Sequence, residues 1–198
     1  MKKLIFATHN QGKVKEMRAL MADLGLEILS AEEAGVHEDP VEDGLTFAEN
    51  ALKKARFVAV KTGEWAVADD SGMMIDALDG RPGVHSARWA GEGAGDAGLV
   101  NHTLEQLRDV EESARGASFH SVVALVSPEG HEWTFEGVIE GHVVSTPRGT
   151  PRPKLADDVL FVPVGYDKTF AQMSDEQKNA LSHRGQAFQK LKEHLAHL

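Results

Sequence analysis

The sequence predicts an α/β fold with a central mixed β-sheet flanked by helices. Short apolar runs alternate with helical patterns over about the first third of the chain, which is typical of strands connected by helices. Two longer strand-like runs follow with a short turn between them, and these add antiparallel strands to the sheet. No internal repeat or low-complexity linker interrupts the 198 residues, so we expect a single domain over residues 1–198.

The first elements read as strand, helix and strand. Leu4–Ala7 is a short apolar run that predicts a buried strand. Apolar residues at helical spacing predict a helix over Lys13–Leu24, which Gly25 would end. Glu27–Leu29 predicts a second strand, and the acidic, Gly- and Pro-containing segment 32–45 predicts a loop.

A second helix and a third strand follow this loop. Thr46 and Glu49 have the spacing of a capping box, which predicts a helix that continues to Gly63. Trp65–Ala68 predicts another buried strand, and the polar residues Asp69–Gly72 are expected at its end.

The second half of the chain adds a hairpin and further helices. Its predicted elements are a helix over Asp96–Leu107, hairpin strands over Phe119–Val126 and Trp133–Val144 with a turn near Pro128, and a last helix from about Gln186. Ser174 and Gln177 form a second capping-box pattern that predicts one more helix start.

Composition excludes several classes of protein. The chain has 21 Lys and Arg against 31 Asp and Glu, and a net charge of −10 argues against nonspecific nucleic-acid binding. It has no Cys, so disulfides, cysteine-based zinc sites and cysteine nucleophiles are excluded. The first apolar run spans at most Leu4–Thr8, shorter than the roughly 7–15 residues of a secretory signal. We therefore expect a cytoplasmic protein with no membrane partner.

The loop between the first strand and the first helix is a candidate anion site. Its residues are Thr8, His9, Asn10, Gln11, Gly12 and Lys13. Helix N–H groups at such a place favour anions, and Lys13 can neutralise a phosphate. The loop lacks the first glycine and the Ser or Thr of a Walker A motif. The alternative is an ordinary helix-capping loop with a solvated lysine.

Two acidic segments are candidate metal ligands. Asp70, beside Asp69 after a buried strand, can bind Mg²⁺ and accept a proton from water. Glu42, in the acidic segment 38–44, would supply a second carboxylate if the loop folds over the strand end. The alternatives are a turn in which aspartate caps backbone N–H groups, and a solvated acidic loop.

A basic segment near the last helix is a candidate ligand site. Ser182 is a plausible cap for that helix, which places His183 and Arg184 at its N-terminus. Cations there oppose the helix dipole, which suggests that they bind a ligand. The alternative is a basic surface turn.

In this order, five segments resemble the inosine triphosphate pyrophosphatase family, also called XTP/dITP diphosphatases. They are THNQGK at 8–13, GLTFAENALKKA at 44–55, ADDSG at 68–72, PGVHSARWAG at 82–91 and KNALSHRG at 178–185. Each motif alone is weak, but five in the same order over nearly the whole chain are specific.

The resemblance implies an elongated two-lobed fold with an active-site cleft between the lobes, and a homodimer. It implies Mg²⁺-dependent hydrolysis of non-standard purine nucleoside triphosphates (ITP, dITP and XTP) to the monophosphate and pyrophosphate. Asp70 would be general base and metal ligand, with Glu42 as the second metal carboxylate. The residues that match substrate-binding positions are Thr8 to Lys13, Lys54 and Ser71 for the triphosphate, and Lys178, His183 and Arg184 for the purine base, together with Asp157.

One segment departs from the family pattern. The family has a motif G-F-G-[YW]-D whose aromatic residue stacks on the base, whereas this chain reads Pro151–Asp157 and keeps only Asp157 of the motif. Base stacking contributes roughly 1–3 kcal/mol in nucleic-acid complexes. The departure leaves open the same reaction on a different base, or a nucleotide-binding protein without activity.

Overall fold

The fold is described from a computed structural model, which covers residues 2–91 and 93–198. It is an α/β fold whose six described strands form one sheet in the order β2-β1-β3-β4-β5-β6. The strands are β1 Lys3–Phe6, β2 Glu27–Ser30, β3 Trp65–Ile75, β4 Gly116–Val126, β5 Glu132–Val143 and β6 Phe161–Pro163. The helices are α1 Gln11–Leu20, α2 Phe47–Thr62, α3 Gly95–Gln106, α4 Asp175–Leu181 and α5 His183–Leu195.

The sheet is mixed, as the sequence predicts. β1 pairs in parallel with both β2 and β3, and β5 pairs antiparallel with β6. The predicted hairpin is also confirmed, because β4 and β5 are neighbours joined by a tight turn in which Ser127 N–H donates to the His131 carbonyl at 2.9 Å.

The chain divides into two compact units. The first contains the chain up to Asp70, Ser121–Gly137 and Gln186–Leu198, and the second contains Ser71–His120 and Val138–Gly185. Each unit has its own hydrophobic core. Burial of these side chains is the main stabilising contribution in both units.

In the first unit, β1 and the helices α1 and α5 supply much of the core. Leu4 and Phe6 of β1, Val14 of α1 and Leu191 of α5 are all fully or almost fully buried. The Phe6 ring meets the Phe188 ring edge-on at a centroid distance of 5.6 Å. Every third or fourth residue of α1 and α5 therefore faces this core, as helical periodicity requires.

The second unit is built around an aromatic cluster. Phe119 of β4, Phe161 of β6 and Phe170 pack with centroid distances of 4.7 to 6.0 Å. Phe161 and Phe170 are completely buried, whereas Phe119 keeps 7% of its surface exposed.

One sequence prediction about the third strand is wrong. Asp69–Gly72 were expected at the strand end, but β3 continues through them to Ile75. Two adjacent carboxylates in a strand are tolerated because each faces a lysine, Lys13 for Asp69 and Lys54 for Asp70. The ion pairs replace the hydration that burial removes.

The first helix also differs from its prediction. α1 begins at Gln11 because Asn10 caps it, two residues earlier than expected. It ends at Leu20, and a separate 3₁₀ turn over Ala22–Leu24 leads to Gly25. Gly25 has φ 64°, a left-handed conformation that glycine adopts without steric cost.

Helix capping follows the sequence closely at the other positions. Thr46 caps α2 by accepting the Glu49 N–H at 3.1 Å, but the Glu49 carboxylate accepts from Leu45 N–H rather than from Thr46. The capping box of Ser174 with Gln177 is complete. α5 begins at His183, three residues before its predicted start. Among the described residues, no helix is both long and apolar enough to cross a bilayer.

Candidate functional site

The loop between β1 and α1 is held by its own side chains. The Asn10 Oδ1 accepts hydrogen bonds from Gly12 N–H at 2.9 Å and Lys13 N–H at 3.4 Å. Thr8 Oγ1 accepts from Asn10 N–H at 3.2 Å. The loop is thus preorganised, with Gln11 exposed at the start of α1 and His9 Nε2 3.3 Å from an oxygen of Asp39.

Lys13 forms a two-oxygen ion pair with Asp69. Its Nζ lies 2.9 and 2.8 Å from the two carboxylate oxygens of Asp69. The Asp69 side chain is 2% exposed, whereas that of Lys13 is 25% exposed. The ammonium of Lys13 is therefore held against β3 while part of its surface still reaches solvent.

Lys54 connects the two carboxylates that the sequence selects as metal ligands. Its Nζ is 3.1 Å from an oxygen of Asp70 and 3.4 Å from an oxygen of Glu42. Asn50 Nδ2 donates to the other Asp70 oxygen at 3.3 Å, and Asn50 Oδ1 accepts from Gly44 N–H at 2.8 Å. The acidic loop, α2 and β3 are thereby joined through side chains of the first unit.

Further ion pairs hold the acidic loop against α2. Lys61 Nζ donates to the Glu38 carboxylate at 2.7 Å, and Lys53 forms a short ion pair with Asp43. These contacts place Glu42 close to Lys54 even though most of the segment is exposed. The loop is therefore more ordered than a purely solvated acidic loop would be.

The electrostatics of this group follow from burial and charge. Burial raises the pKa of Asp70, and the neighbouring Glu42 charge adds to this, while Lys54 and Asn50 act against it. Burial disfavours the Lys54 ammonium, but the carboxylates of Asp70, Asp69 and Glu42 outweigh that effect and raise its pKa. The pairs therefore keep Lys54 protonated beside a carboxyl group that ionises less readily than usual.

The donor set of this group fits a magnesium ion. Mg²⁺ in phosphate-handling sites is bound through one or two carboxylates, with phosphate oxygens and water completing the shell. Glu42 and Asp70 approach the same ammonium, and their mutual repulsion contributes to the raised pKa of Asp70. Within residues 2–91 and 93–198 no cluster of three or more metal-ligating side chains occurs, so a protein-only cage is not formed there.

In the second unit, Lys178 lies in a buried polar group with Asp158. Lys178 is 7% exposed and forms a short ion pair with the Asp158 carboxylate, and its Nζ lies 5.5 Å from the Phe170 ring centroid. Burial lowers the pKa of Lys178, Arg184 and Arg152 lower it further, and Asp158 opposes this. Asp158, with 3% of its surface exposed, was missed by the sequence reasoning.

His183 and Arg184 are the first residues of α5. Ser182 Oγ accepts the Gly185 N–H at 3.1 Å, which confirms Ser182 as the cap of that helix. The His183 ring stacks on Phe119 with a centroid distance of 4.7 Å and an interplanar angle of 9°. The imidazole is thereby fixed in orientation by an aromatic face. Ser71 follows Asp70 in β3 and is partly exposed.

The sequence predicts Asp157 as the retained acid of the family motif. In the structure, its neighbour Asp158 is the residue that contacts Lys178. Asp157 lies in a short 3₁₀ turn over Ala156–Val159. Burial, then the charges of Asp158 and Asp96, raise the pKa of Asp157 to about 7. The Asp157–Asp158 doublet before the apolar run 159–162 was the sequence signal that could have marked both residues.

Comparisons with known proteins agree on one family. The family model described as Ham1 family matches residues 4–194. A dITP/XTP pyrophosphatase of Streptomyces avermitilis is 45% identical over 193 residues, with 96% of each chain covered. A dITP/XTP pyrophosphatase of Bacillus subtilis is 41% identical over 191 residues, again with 96% of each covered.

Solved structures show the same similarity in three dimensions. A HAM1 protein from Coxiella burnetii superposes with a TM-score of 0.92 at 39% identity, covering 100% of both chains. A nucleoside-triphosphatase, dITP/XTP pyrophosphatase, from Mycobacterium abscessus gives a TM-score of 0.80 at 40% identity, covering 96% of this chain and 98% of that one.

Proposed function

The chain belongs to the Ham1 family, and we propose that it is a Mg²⁺-dependent hydrolase of non-standard purine nucleoside triphosphates. Its substrates would be ITP, dITP and XTP, and its products the nucleoside monophosphate and pyrophosphate. The observation that carries the proposal is the partly buried Asp70 carboxylate, which shares the Lys54 ammonium with Glu42.

The lysines would bind the triphosphate. Lys13 and Lys54 present ammonium groups within one compact unit, and the loop from Thr8 precedes the N-terminus of α1, a place that favours anions. Negative charge builds up on the leaving pyrophosphate in the transition state. Cations already in place stabilise that charge without the cost of reorienting solvent.

Glu42 and Asp70 would hold the magnesium ion. When bound, such an ion polarises phosphoryl oxygens and neutralises part of their charge. The chain's contribution is to keep two oxygen ligands together: Lys54 offsets their repulsion, and Asn50 holds one Asp70 oxygen.

Asp70 would also take the proton of the attacking water. The water oxygen forms a bond to the α-phosphorus, the bond from that phosphorus to the α,β-bridging oxygen breaks, and pyrophosphate leaves. The water proton goes to a carboxylate oxygen of Asp70. A positioned base of this kind contributes about 10²–10⁴-fold to the rate.

Residues of α4 and α5 would recognise the base. Lys178, His183 and Arg184 can donate hydrogen bonds to the 6-oxo group that hypoxanthine and xanthine carry. Adenine has a 6-amino group there, so donors would face a donor and stay unpaired, at a cost of about 1–3 kcal/mol each. The site would therefore discriminate against ATP.

One observation favours a second candidate, the same reaction with a different base preference. The segment 151–157 contains no aromatic residue, so it cannot supply the stacking contact of the family motif. A loss of roughly 1–3 kcal/mol of stacking energy would weaken the binding of purines more than that of smaller bases. A nucleotide-binding protein without turnover is the further outcome that an assay must separate.

The test is a panel of ITP, dITP, XTP, GTP, ATP and CTP assayed for pyrophosphate release with Mg²⁺ and with EDTA. We expect ITP and XTP to be preferred over ATP, activity to need the metal, and Asp70→Asn to abolish turnover. Asp109→Asn, a change at a highly exposed carboxylate, is the matched control and should behave as wild type. Full activity in Asp70→Asn, or a preference for ATP, would contradict the proposal.

The homodimer and the cytoplasmic location are further proposals from the resemblance. Sedimentation equilibrium of the purified chain measures the first, and fractionation of the producing cells measures the second.

A further inference from the structure

We propose that Arg152 is a positioning residue for base recognition, acting through the Asp158 carboxylate that it shares with Lys178. The inference rests on the proposed function, because it takes Lys178 as a donor to the base. Arg152 belongs to the segment 151–157 in which this chain departs from the family motif. The aromatic residue of the motif is missing from this segment.

The guanidinium of Arg152 is held on several sides. Its NH1 donates to the Phe170 carbonyl at 2.9 Å, its NH2 donates to the Met173 carbonyl at 2.7 Å, and its Nε donates to the Asp175 carboxylate at 3.1 Å. NH1 also lies 3.4 Å from Oδ2 of Asp158. A planar fork of donors suits such a set, and a lysine could not reproduce it.

Two cations therefore meet at one oxygen. Lys178 Nζ contacts the same Oδ2 of Asp158 that Arg152 approaches. The Asp158 side chain is 4% exposed, so water supplies little of the compensation for its charge. Arg152 supplies part of that compensation. The Asp158 carboxylate therefore depends less on the Lys178 ammonium than it would if the two residues formed an isolated pair.

This sharing matters when a ligand arrives. To donate to a base carbonyl, Lys178 must give up part of its interaction with Asp158. With Arg152 in place the buried carboxylate keeps a cation, whereas without it the carboxylate would lose its compensation, which is costly in a low-dielectric site. Arg152 thus lowers the cost of turning Lys178 towards the base, and this effect belongs to substrate binding rather than to the chemical step.

Arg152 also acts on the charge of Lys178. The charged groups around Lys178 are Asp158, Arg152 and Arg184, with Asp157 next to Asp158 in the chain. Arg152 is among the groups that lower the pKa of Lys178. Removing its charge should move the pH at which Lys178 loses its proton to a higher value.

The variants Arg152→Ala and Arg152→Lys, assayed with ITP and XTP from pH 6.5 to 10, test the proposal. At pH 7.5 we expect Arg152→Ala to raise KM by roughly tenfold with kcat within about twofold of wild type. KM should rise at alkaline pH, where Lys178 loses its proton. This rise should move to higher pH in Arg152→Ala and stay near its wild-type position in Arg152→Lys, which keeps the charge. A role confined to folding would not separate the two variants in this way.

Two further proteins complete the experiment. Arg108→Ala removes an exposed arginine of the same unit and should leave KM unchanged. Asp175→Asn removes the exposed carboxylate that Arg152 contacts, while Ser174 still caps α4 and Glu176 remains in its first turn; it should raise KM by about two- to threefold. This variant keeps the test decisive if Arg152→Ala does not fold.

An unchanged KM in the arginine variants, or a loss confined to kcat, would overturn the proposal. The proposal would also be overturned if KM rose at the same alkaline pH in Arg152→Ala and Arg152→Lys. A wild-type protein that neither hydrolyses nor binds ITP would overturn the proposed function and this inference with it, whereas an active wild type with indifferent Arg152 variants would overturn this inference alone.

Discussion

In the Lys13–Asp69 pair, removing the lysine should lower the free energy of unfolding more than removing the aspartate. Asp69 is almost completely buried in β3, and both its oxygens are 2.8–2.9 Å from Lys13 Nζ. In Lys13→Met the buried carboxylate loses this cation, and removing one partner of a buried pair costs about 3–5 kcal/mol. In Asp69→Asn the remaining lysine has a quarter of its side chain exposed and can turn to water, so we expect about 1–2 kcal/mol.

Urea unfolding followed by tryptophan fluorescence measures both free energies of unfolding, and thermal melts give a second reading. For a chain of this size 1 kcal/mol corresponds to about 2–4 °C, so Lys13→Met should lower Tm by about 6–20 °C and Asp69→Asn by about 2–8 °C. Lys15→Met, at an exposed position of α1, is the matched control and should change Tm by less than about 2 °C.

The double variant Lys13→Met/Asp69→Asn completes a thermodynamic cycle. It removes both charges, so it should be more stable than Lys13→Met alone. Equal losses in the two single variants, or a double variant as unstable as the sum of the two, would refute the view that burial of the Asp69 carboxylate decides the cost.

Three other changes have definite outcomes. The pKa of Asp157 is raised to about 7 from an unfolded value near 3.9, so ionisation of this carboxyl disfavours the folded state. The free energy of unfolding of Asp157→Asn should therefore equal that of wild type near pH 4 and exceed it by about 1–4 kcal/mol above pH 7. Urea unfolding at both pH values measures the difference. A Cβ at Gly185 would lie 1.8 Å from the Asn179 carbonyl oxygen, so Gly185→Ala should lower Tm or the yield of folded protein sharply, and a wild-type melt would contradict this. Asn10→Ala should cost about 1 kcal/mol in the same urea assay, since it removes the acceptor for two N–H groups of α1.

The order and type of the secondary-structure elements could be predicted because local patterns determine them. Ser174 with Gln177, and Thr46 before α2, are short-range hydrogen-bonding signals, and the structure contains both helix starts. The apolar run of β1 and the turn after Pro128 act in the same local way. These signals depend on residues within a few positions of each other, which a sequence displays directly.

The course of β3 could not be predicted for the opposite reason. A strand through Asp69 and Asp70 is disfavoured locally, because two carboxylates are being buried. Their compensation comes from Lys13 and Lys54, which are 56 and 16 residues away in the chain. Only the folded arrangement shows that these charges are matched.

Asp158 was missed for a related reason. The family motif matches Asp157 in the sequence, and nothing local distinguishes two adjacent aspartates. In the structure, Asp158 contacts Lys178 and Arg152. Asp157 is the aspartate whose pKa is raised, mainly by burial. Lys154, two residues before the 3₁₀ turn, has φ 62°, a left-handed conformation that glycine adopts more readily than other residues.

Three of the pairs described above, Lys13–Asp69, Lys54–Asp70 and Lys178–Asp158, share one design. In each, a helix lysine meets a carboxylate that is largely buried. Buried ion pairs are poor stabilisers, because apolar residues of similar volume often do as well or better. Stability therefore does not explain why these pairs are present.

We propose that ligand binding is the reason for them. An ammonium held by one carboxylate is preorganised, charged, and able to share its remaining donors with an incoming anion or carbonyl. If this is right, replacing Lys54 by Met together with Asp70 by Asn, which removes both charges and keeps an acceptor for Asn50, should leave the free energy of unfolding within about 1 kcal/mol of wild type, while pyrophosphate release is lost. A large loss of stability in that double variant would show instead that the pair is structural.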